Sequence, residues 1–384
     1  MQYRKFGKLG FDVSAFGIGC MRLPLKLLAD GKTEYGQIDE EKAIAMIRYA
    51  IDHGVNYVDT AYTYHEENSE RVVGKALKDG YRGRTMLATK LPVWKAEKTE
   101  DFERMLDEQL DKLQTDHIDF YLLHTLNREI WSKAKAMGVL GFLDRVKASG
   151  KIKYAGFSFH DQLDVFKEII DSYDKWDMCQ VQFNILDEHK QAGIEGIGYA
   201  ASRGIPIVIM EPLRGGSLAN ISNDIKAIWD KTGMKRSHIE WAFRWICNHP
   251  EVTVVLSGVS TMEQLKDNIR IFENALPNSM SEQELAIVNE VQKCYKSRIK
   301  VGCTGCRYCM PCPSGVDIPG IFGRYDDAML FDTLEDHRVK YKRSIIGKGK
   351  DPSQCAECGH CESVCPQHIS IIEKLKEAHD VLGS

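Results

Sequence analysis

Short apolar runs, rich in β-branched and aromatic residues, alternate over the first two-thirds of the chain with longer stretches whose apolar positions recur at helical spacing. The runs predict eight strands, at Ala15–Cys20, Asn56–Thr60, Thr85–Lys90, Ile118–His124, Tyr154–Ser158, Met178–Gln182, Ile207–Glu211 and Val252–Ser257. The periodic stretches predict helices such as Glu40–His53, Phe102–Leu113 and Thr261–Asn274. Ser237 with Glu240, Thr261 with Gln264 and Ser281 with Glu284 have the spacing of a capping box, the last opening a helix to about Lys293. Ile207-Val208-Ile209-Met210 and Val252-Thr253-Val254-Val255-Leu256 lack polar alternation. Strands apolar on both faces belong in a parallel sheet covered by helices. Eight such units predict an α/β fold, a closed (β/α)8 barrel. The alternative is an open doubly wound sheet. Against it, Gly17-Ile18-Gly19 runs into Cys20-Met21-Arg22 with no third glycine, so no dinucleotide fingerprint follows the first strand. Ahead of the barrel, Tyr3–Phe6 and Asp12–Ser14 flank a turn at Gly10 and predict a hairpin over the barrel floor.

Composition narrows the setting. The 384 residues are 43% hydrophobic and 28% charged, which suits a folded chain with an ordinary core. A net charge of −4 gives no general drive toward nucleic acid or an anionic membrane. The longest apolar run, Ile205–Met210, is far short of a membrane span, and the N-terminus carries no apolar stretch of the kind a signal peptide needs. A cytoplasmic location is expected. The twelve cysteines change the picture more, because eight of them lie between Cys303 and Cys365. Clustered cysteines in a reducing compartment point to metal rather than to disulfides. The chain therefore divides, on sequence, into a barrel over 1–297 and a cysteine-dense domain over 298–384.

Active sites of parallel barrels lie at the C-terminal ends of the strands. The second strand ends at Asp59, the third at Lys90 and the fourth at His124, at offsets of 31 and 34 residues, one βα unit each. Tyr64 lies five residues past Asp59, in the loop that follows. A single such residue is ordinarily a solvated loop side chain, but polar residues closing successive apolar strands converge on one mouth. Together they suit carbonyl reduction. Tyr64 would protonate the alkoxide left by hydride addition, with a nearby ammonium tuning its pKa downward from about 10. Lys90 would supply that charge, Asp59 would hold Lys90, and His124 would hydrogen-bond the carbonyl oxygen.

The segments Asp59-Thr60-Ala61-Tyr62-Thr63-Tyr64, Ala88-Thr89-Lys90, Asp119-Phe120-Tyr121-Leu122-Leu123-His124 and Gly150-Lys151-Ile152-Lys153-Tyr154-Ala155-Gly156-Phe157-Ser158 resemble those of the aldo-keto reductase superfamily, over about residues 1 to 295. The resemblance implies a TIM-type barrel and a nicotinamide dinucleotide, NADP(H) or NAD(H), extended across its mouth. It implies that Ser158 and Gln180 hold the carboxamide, and that Glu211–Gly216, with Leu213 and Gly215, wraps the pyrophosphate. Ser257, Gly258, Gln264 and Asn268 would then surround the adenosine half. Four positions depart from the family pattern. Met210 stands where an aromatic residue commonly stacks on the nicotinamide, Phe159 follows Ser158 where Asn is frequent, and Gly258 and Gln264 replace the Lys and Arg common in NADPH-selective members. Arg270 or Lys266 would have to serve a 2′-phosphate instead, and a flavin stays open as a further cofactor.

The tail reads Cys303-x-x-Cys306-x-x-Cys309-x-x-Cys312-Pro313, then Cys355-x-x-Cys358-x-x-Cys361-x-x-x-Cys365-Pro366. The second run has the bacterial ferredoxin spacing for a [4Fe–4S] cluster, and the first is one residue shorter in its last gap. In that pattern the fourth cysteine of each run serves the other cluster. Two clusters are therefore predicted, one on Cys303, Cys306, Cys309 and Cys365, the other on Cys355, Cys358, Cys361 and Cys312. Two zinc sites, each held by a quartet of cysteines, are the alternative. The 42 residues between the runs include helical stretches such as Ala328–Arg338, resembling the mainly α-helical ferredoxin-like domains of multi-subunit redox enzymes. Cys20, Cys179 and Cys247 read as buried apolar residues, and Cys294 lies outside both runs.

One-electron centres beside a two-electron site imply exchange with an external carrier, a ferredoxin or another redox partner. Three functions are compatible with this combination: a nicotinamide-dependent reductase of a small-molecule carbonyl, an oxidoreductase of the same fold driven by flavin or by the clusters, and a non-catalytic redox-sensing or docking subunit. The pocket walls are expected from Pro92–Thr99, Leu126–Met137 and the tail, with Trp94 and Trp131 as aromatic lining.

Overall fold

The structure, a computed structural model, describes residues 1–28 and 31–384. They fall into two units, Met1–Gly215 with Ile239–Ser281, and Gly216–His238 with Glu282–Ser384.

In the first unit, strands β1 (Tyr3–Lys5) and β2 (Asp12–Ser14) form an antiparallel hairpin in which Arg4 faces Val13. Eight parallel strands follow: β3 (Phe16–Gly19), β4 (Tyr57–Asp59), β5 (Met86–Leu91), β6 (Ile118–Leu126), β7 (Ile152–Phe159), β8 (Met178–Gln182), β9 (Ile207–Met210) and β10 (Val252–Ser257). They close a barrel in chain order, with β10 pairing β3. The predicted barrel is thus present, strand for strand. Its interior is filled by Tyr57, Ala88, Phe120, Leu122, Met178, Val208 and Val254, and Phe6 from the hairpin joins them, its ring 4.7 Å from that of Phe120. Burying each such large side chain contributes roughly 1.5–3 kcal/mol. Two glycines set how tightly the interior closes. A Cβ on Gly17 would stand 2.7 Å from Leu256, and one on Gly156 the same distance from Met178.

Strand ends differ from expectation where a backbone irregularity intervenes. β6 runs on to Leu126 because the register shifts between Leu123 and Leu126, Thr125 taking a φ of 55° and giving its N–H to Ser158 Oγ at 2.7 Å. β9 stops at Met210 because Glu211 turns left-handed, at φ 54°. Within the expected pocket loop at 126–137 lies a helix, Arg128–Ala136, capped by Asn127. The Thr261 cap forms as its spacing predicts, accepting the Gln264 N–H.

In the second unit, helices Asn223–Asp230 and Glu282–Lys296 pack on each other, and Arg298 grips Asp224, Ser222 and the Leu330 carbonyl. Helices Ile318–Phe331, Leu334–Ser344 and Ile371–Gly383 surround a core that includes Phe322, Tyr325, Tyr341, Ile345 and Leu375. The helix predicted at Ala328–Arg338 is broken. Asp332 adopts φ 57° and ends the first helix, and the chain restarts after Thr333. The reversal lets Tyr341 and Ile345 return to the core. Asp326 accepts the N–H groups of Lys300, Val301 and Gly302, and so anchors the segment that leads into Cys303. Among the described residues no helix is long and apolar enough to cross a membrane.

Candidate active site and two cysteine-lined cavities

The strand ends bring the predicted tetrad together. β4 and β5 are register neighbours, Asp59 beside Ala88, which sets Asp59 and Lys90 on adjacent strands at the same rim. Lys90 Nζ donates to Asp59 Oδ1 at 2.7 Å, to the Thr60 carbonyl at 2.8 Å and to the Tyr64 hydroxyl at 3.3 Å. Gln180 Nε2 donates to the second Asp59 oxygen at 3.3 Å. The His124 ring meets the Tyr64 ring edge-on at 5.8 Å, and the Trp94 ring lies 5.2 Å from that of His124. Lys90 and Asp59 are almost fully buried, 1% and 2% exposed, so neither charge is screened by water and each depends on the other.

Protonation follows from that burial. Burial alone would lower the Lys90 pKa, but Asp59 and Tyr64 more than offset it and the ammonium persists. Burial pushes the Asp59 carboxyl up while Lys90 pulls it back. The expected lowering of Tyr64 does not occur. Burial raises its phenol above the ordinary value and outweighs the pull of Lys90, and the carboxylate that holds Lys90 adds to the rise by repelling a phenolate. Tyr64 is therefore protonated at neutral pH. His124 is held well below its usual value by burial, then by Lys90 and His160, so its ring is neutral.

Residues beyond the tetrad fix its geometry. His65, Glu66 and Glu67 are three successive left-handed residues immediately after Tyr64. His65 holds them there: its Nε2 accepts the Leu23 N–H at 3.2 Å, its Nδ1 meets the Tyr35 carbonyl at 2.7 Å, and its ring stacks on Tyr35. The polar-end reading of strands does not reach His65, because its partners come from another loop. The same is true of Arg22. Its guanidinium lies 3.4 Å from where a Cβ on Gly215 would stand, and its Cβ 3.1 Å from one on Gly258, so the side chain passes Gly258 and brings its charge to Gly215. Trp131 is buried against Trp176 and belongs to the core rather than to a pocket.

The remaining candidates line one side of the rim. Ser158 and Gln180 are register partners on β7 and β8, and both are buried. Met210 ends β9 opposite Gln182, with Leu213 and Gly215 in the turn beyond. Ser257 ends β10 and accepts from Asn268, while Gln264 accepts the Ser260 N–H. Arg270 is committed to Glu240 and Asp267, and Lys266 lies over the Tyr49 ring. A cavity of about 660 Å³ opens beside Arg22, bounded by Met21, Leu23, Met46, His65 and Met262, a ligand-sized space that no tetrad residue lines.

In the second unit the eight cysteines of the two runs sort into two cavities. Cys303, Cys306, Cys309 and Cys365 line one, together with Phe322 and Ile371. Cys312, Cys355, Cys358 and Cys361 line the other, with Cys309 at its edge and Val316, Ile318 and Leu375 behind. This is the crossed grouping that the spacing predicts. All are free thiols, and Cys358 alone of the eight is exposed. Among the described residues no three His, Cys, Asp or Glu side chains converge on a point fit for a single metal ion. Cys20, Cys179 and Cys247 are buried, as expected, and Cys294 reaches Asp224 at 3.5 Å.

Residues 17–291 match the aldo/keto reductase family and residues 302–370 match the 4Fe-4S dicluster domain. The aldo-keto reductase YhdN of Bacillus subtilis is 26% identical over 305 residues, 69% of this chain and 87% of that protein. The holo form of aldo-keto reductase AKR11C1 from Bacillus halodurans superposes with a TM-score of 0.61 at 25% identity, covering 76% of this chain and 96% of that one. An aldo/keto reductase from Klebsiella pneumoniae in complex with NADP and acetate, 24% identical, shares the fold at a TM-score of 0.57, with 76% and 95% of the two chains covered.

Proposed function

The chain belongs to the aldo/keto reductase family, and from that premise we propose that it reduces an aldehyde or ketone with hydride from a nicotinamide dinucleotide and exchanges single electrons with a carrier through two [4Fe–4S] clusters. The observation that carries the reading is Lys90 Nζ, shared between the Asp59 carboxylate and the Tyr64 hydroxyl beside a neutral His124.

The residues present suit both groups. Gln180 Oε1 and His124 Nδ1 are buried polar atoms with no partner within the protein. Gln180 Oε1 would accept from a carboxamide N–H. Ser158 Oγ accepts from Thr125 and keeps its own proton to donate to the carboxamide oxygen. In the tail, four thiols face each cavity across an apolar back wall. Burial pushes the Cys309 thiol up to about 11, so its deprotonation calls for a positive partner such as iron.

When bound, the nicotinamide supplies a hydride and the clusters supply one-electron steps. The chain's own residues do the rest. His124 orients the carbonyl oxygen by a hydrogen bond. As hydride reaches the carbonyl carbon, the C=O electron pair moves onto that oxygen, and Tyr64 gives it a proton. Lys90 stabilises the phenolate that remains until solvent returns the proton, and Asp59 keeps Lys90 charged and in place. Arg22 is suited to the pyrophosphate. With Gly258 and Gln264 in place of cations, and with Arg270 already paired, NADH should serve at least as well as NADPH.

Tyr64→Phe tests the reading. Its kcat for carbonyl reduction should fall by roughly 10²–10⁴-fold with cofactor affinity unchanged; retention of full activity would remove Tyr64 as the acid. Met210, in the place of a stacking aromatic, favours a second reading in which a flavin occupies the rim and passes electrons singly to the clusters. Resolved flavin absorbance in the anaerobically purified protein would select it, and about eight iron atoms with matching sulfide per chain would exclude zinc.

A further inference from the structure

The second unit carries a cationic surface that neither the hydride chemistry nor the cluster cavities use. From Arg338 to Lys350 the chain holds six Lys or Arg residues and no Asp or Glu. Lys340, Arg343, Lys348 and Lys350 are all exposed. None of the four forms an ion pair among the described residues, whereas Arg338 meets Glu335. Helix and turn gather them. Lys340 and Arg343 are three apart on helix Leu334–Ser344 and share its outer face, opposite buried Tyr341. The turn after the helix folds back, with the N–H groups of Lys348 and Lys350 both donating to the Ile345 carbonyl. The next acidic residue, Asp351, is turned inward to accept from Ser353. Exposed Val339 and Ile346 lie among the cations.

The patch adjoins a cluster cavity. The Lys350 carbonyl accepts the Asp317 N–H, and Val316 and Ile318, on either side of Asp317, line the cavity of Cys312, Cys355, Cys358 and Cys361. The exposed thiol, Cys358, belongs to that cavity. We propose that this surface is the docking site of a small acidic one-electron carrier protein of ferredoxin type, which exchanges its electron through the cluster at Cys358. The inference rests on the reading of the tail as a cluster domain. In the step, one electron leaves the reduced carrier, which is oxidised, and one cluster is reduced by one electron; no atom is transferred. Unpaired cations around a few apolar groups match an acidic protein face, and charge of this kind acts mainly on encounter rate and is screened by salt. Nucleic acid is the weaker candidate, because the chain as a whole is acidic and the patch sits at an electron exit.

The test uses the anaerobic holoenzyme and a plant-type [2Fe–2S] ferredoxin as the probe. The variant K340E/R343E/K348E/K350E should raise the ferredoxin dissociation constant at least tenfold at low salt and flatten its salt dependence. The control K8E/K78E/K235E should leave both unchanged. Nicotinamide-linked carbonyl reduction and cluster bleaching by a reduced viologen should match wild type in each. Unaltered ferredoxin binding in the quadruple variant would overturn the docking site while leaving the cluster reading intact. So would tighter wild-type binding to a DNA duplex than to ferredoxin, lost in the same variant. A wild-type protein without iron, sulfide or viologen-bleachable absorbance would overturn the cluster reading, and the docking proposal with it.

Discussion

The barrel rim and the cysteine-rich tail assemble their chemistry in opposite ways. At the rim each side chain is held by another. Lys90 is fixed by Asp59 and Thr60, Asp59 by Gln180, and the Tyr64 loop by His65. The groups are preorganised by the fold itself, and a parallel barrel carries them on rigid strand ends. In the tail the reactive atoms line hollows. Eight thiols face two cavities, on short turns held by local backbone hydrogen bonds and with an apolar helical core behind, and among the described residues no side chain of opposite charge is paired with them. The rim should therefore keep its shape without its cofactor, whereas the tail depends on what fills it.

The largest effect expected from this difference is on iron removal. Chelation under reducing conditions should expose the amides of 298–384 to hydrogen exchange while β4, β5 and β6 stay protected to near their original level. Equal loss of protection in both regions would erase the contrast, and an unchanged tail would show that its helices stand without metal. Cysteine substitution should separate the two regions chemically as well. A Cys361→Ser variant that loses cluster absorbance should keep nicotinamide-linked carbonyl reduction within a few fold, since no step at the rim draws on the thiols.

Next in size is the rim's internal dependence. Lys90→Met leaves the buried Asp59 carboxylate without its cation. Breaking a buried pair from one side costs about 3–5 kcal/mol, because the surviving charge is desolvated and unpaired. The urea midpoint should fall accordingly, and Lys90→Met with Asp59→Asn should recover much of the loss. If the single variant is as stable as wild type, the pair is not what holds the rim.

The two regions also differ in how far they could be read from sequence. The cysteine grouping was legible because ligand spacing is a local pattern, and the crossed arrangement follows from the two Cys-Pro ends. The tetrad was legible because Asp59, Lys90 and His124 each close an apolar run. Arg22 and His65 were not. Arg22 acquires its meaning from Gly215 and Gly258, and His65 from Leu23 and Tyr35, contacts that no periodicity encodes. The break at Asp332 is not legible in the sequence because the apolar spacing across it remains helical; only the burial of Tyr341 demands the reversal. The direction of the Tyr64 shift depends on a sum of burial, Lys90 and Asp59 that spacing does not supply.

That direction gives the smallest and sharpest of the expected effects. Tyr64 has its pKa raised above the usual value of about 10, so it remains a proton donor through the whole neutral range and loses its proton only on the far alkaline side. Past the unfolded value the unfolded chain gives up this proton while the folded rim keeps it, so stability should fall there with rising pH, and activity only at the higher pH where the folded Tyr64 ionises. His124 has the opposite sign. Its lowered pKa means that the unfolded chain takes up a proton below about 6.5 while the folded rim resists, and stability should fall as pH drops through that region. The rate of carbonyl reduction at saturating cofactor should thus be nearly flat between these limits. A bell centred on neutral pH would mean that the acid titrates there. The donor would then be a group other than a buried phenol between an ammonium and a carboxylate, and the rim would be no more preorganised than the tail.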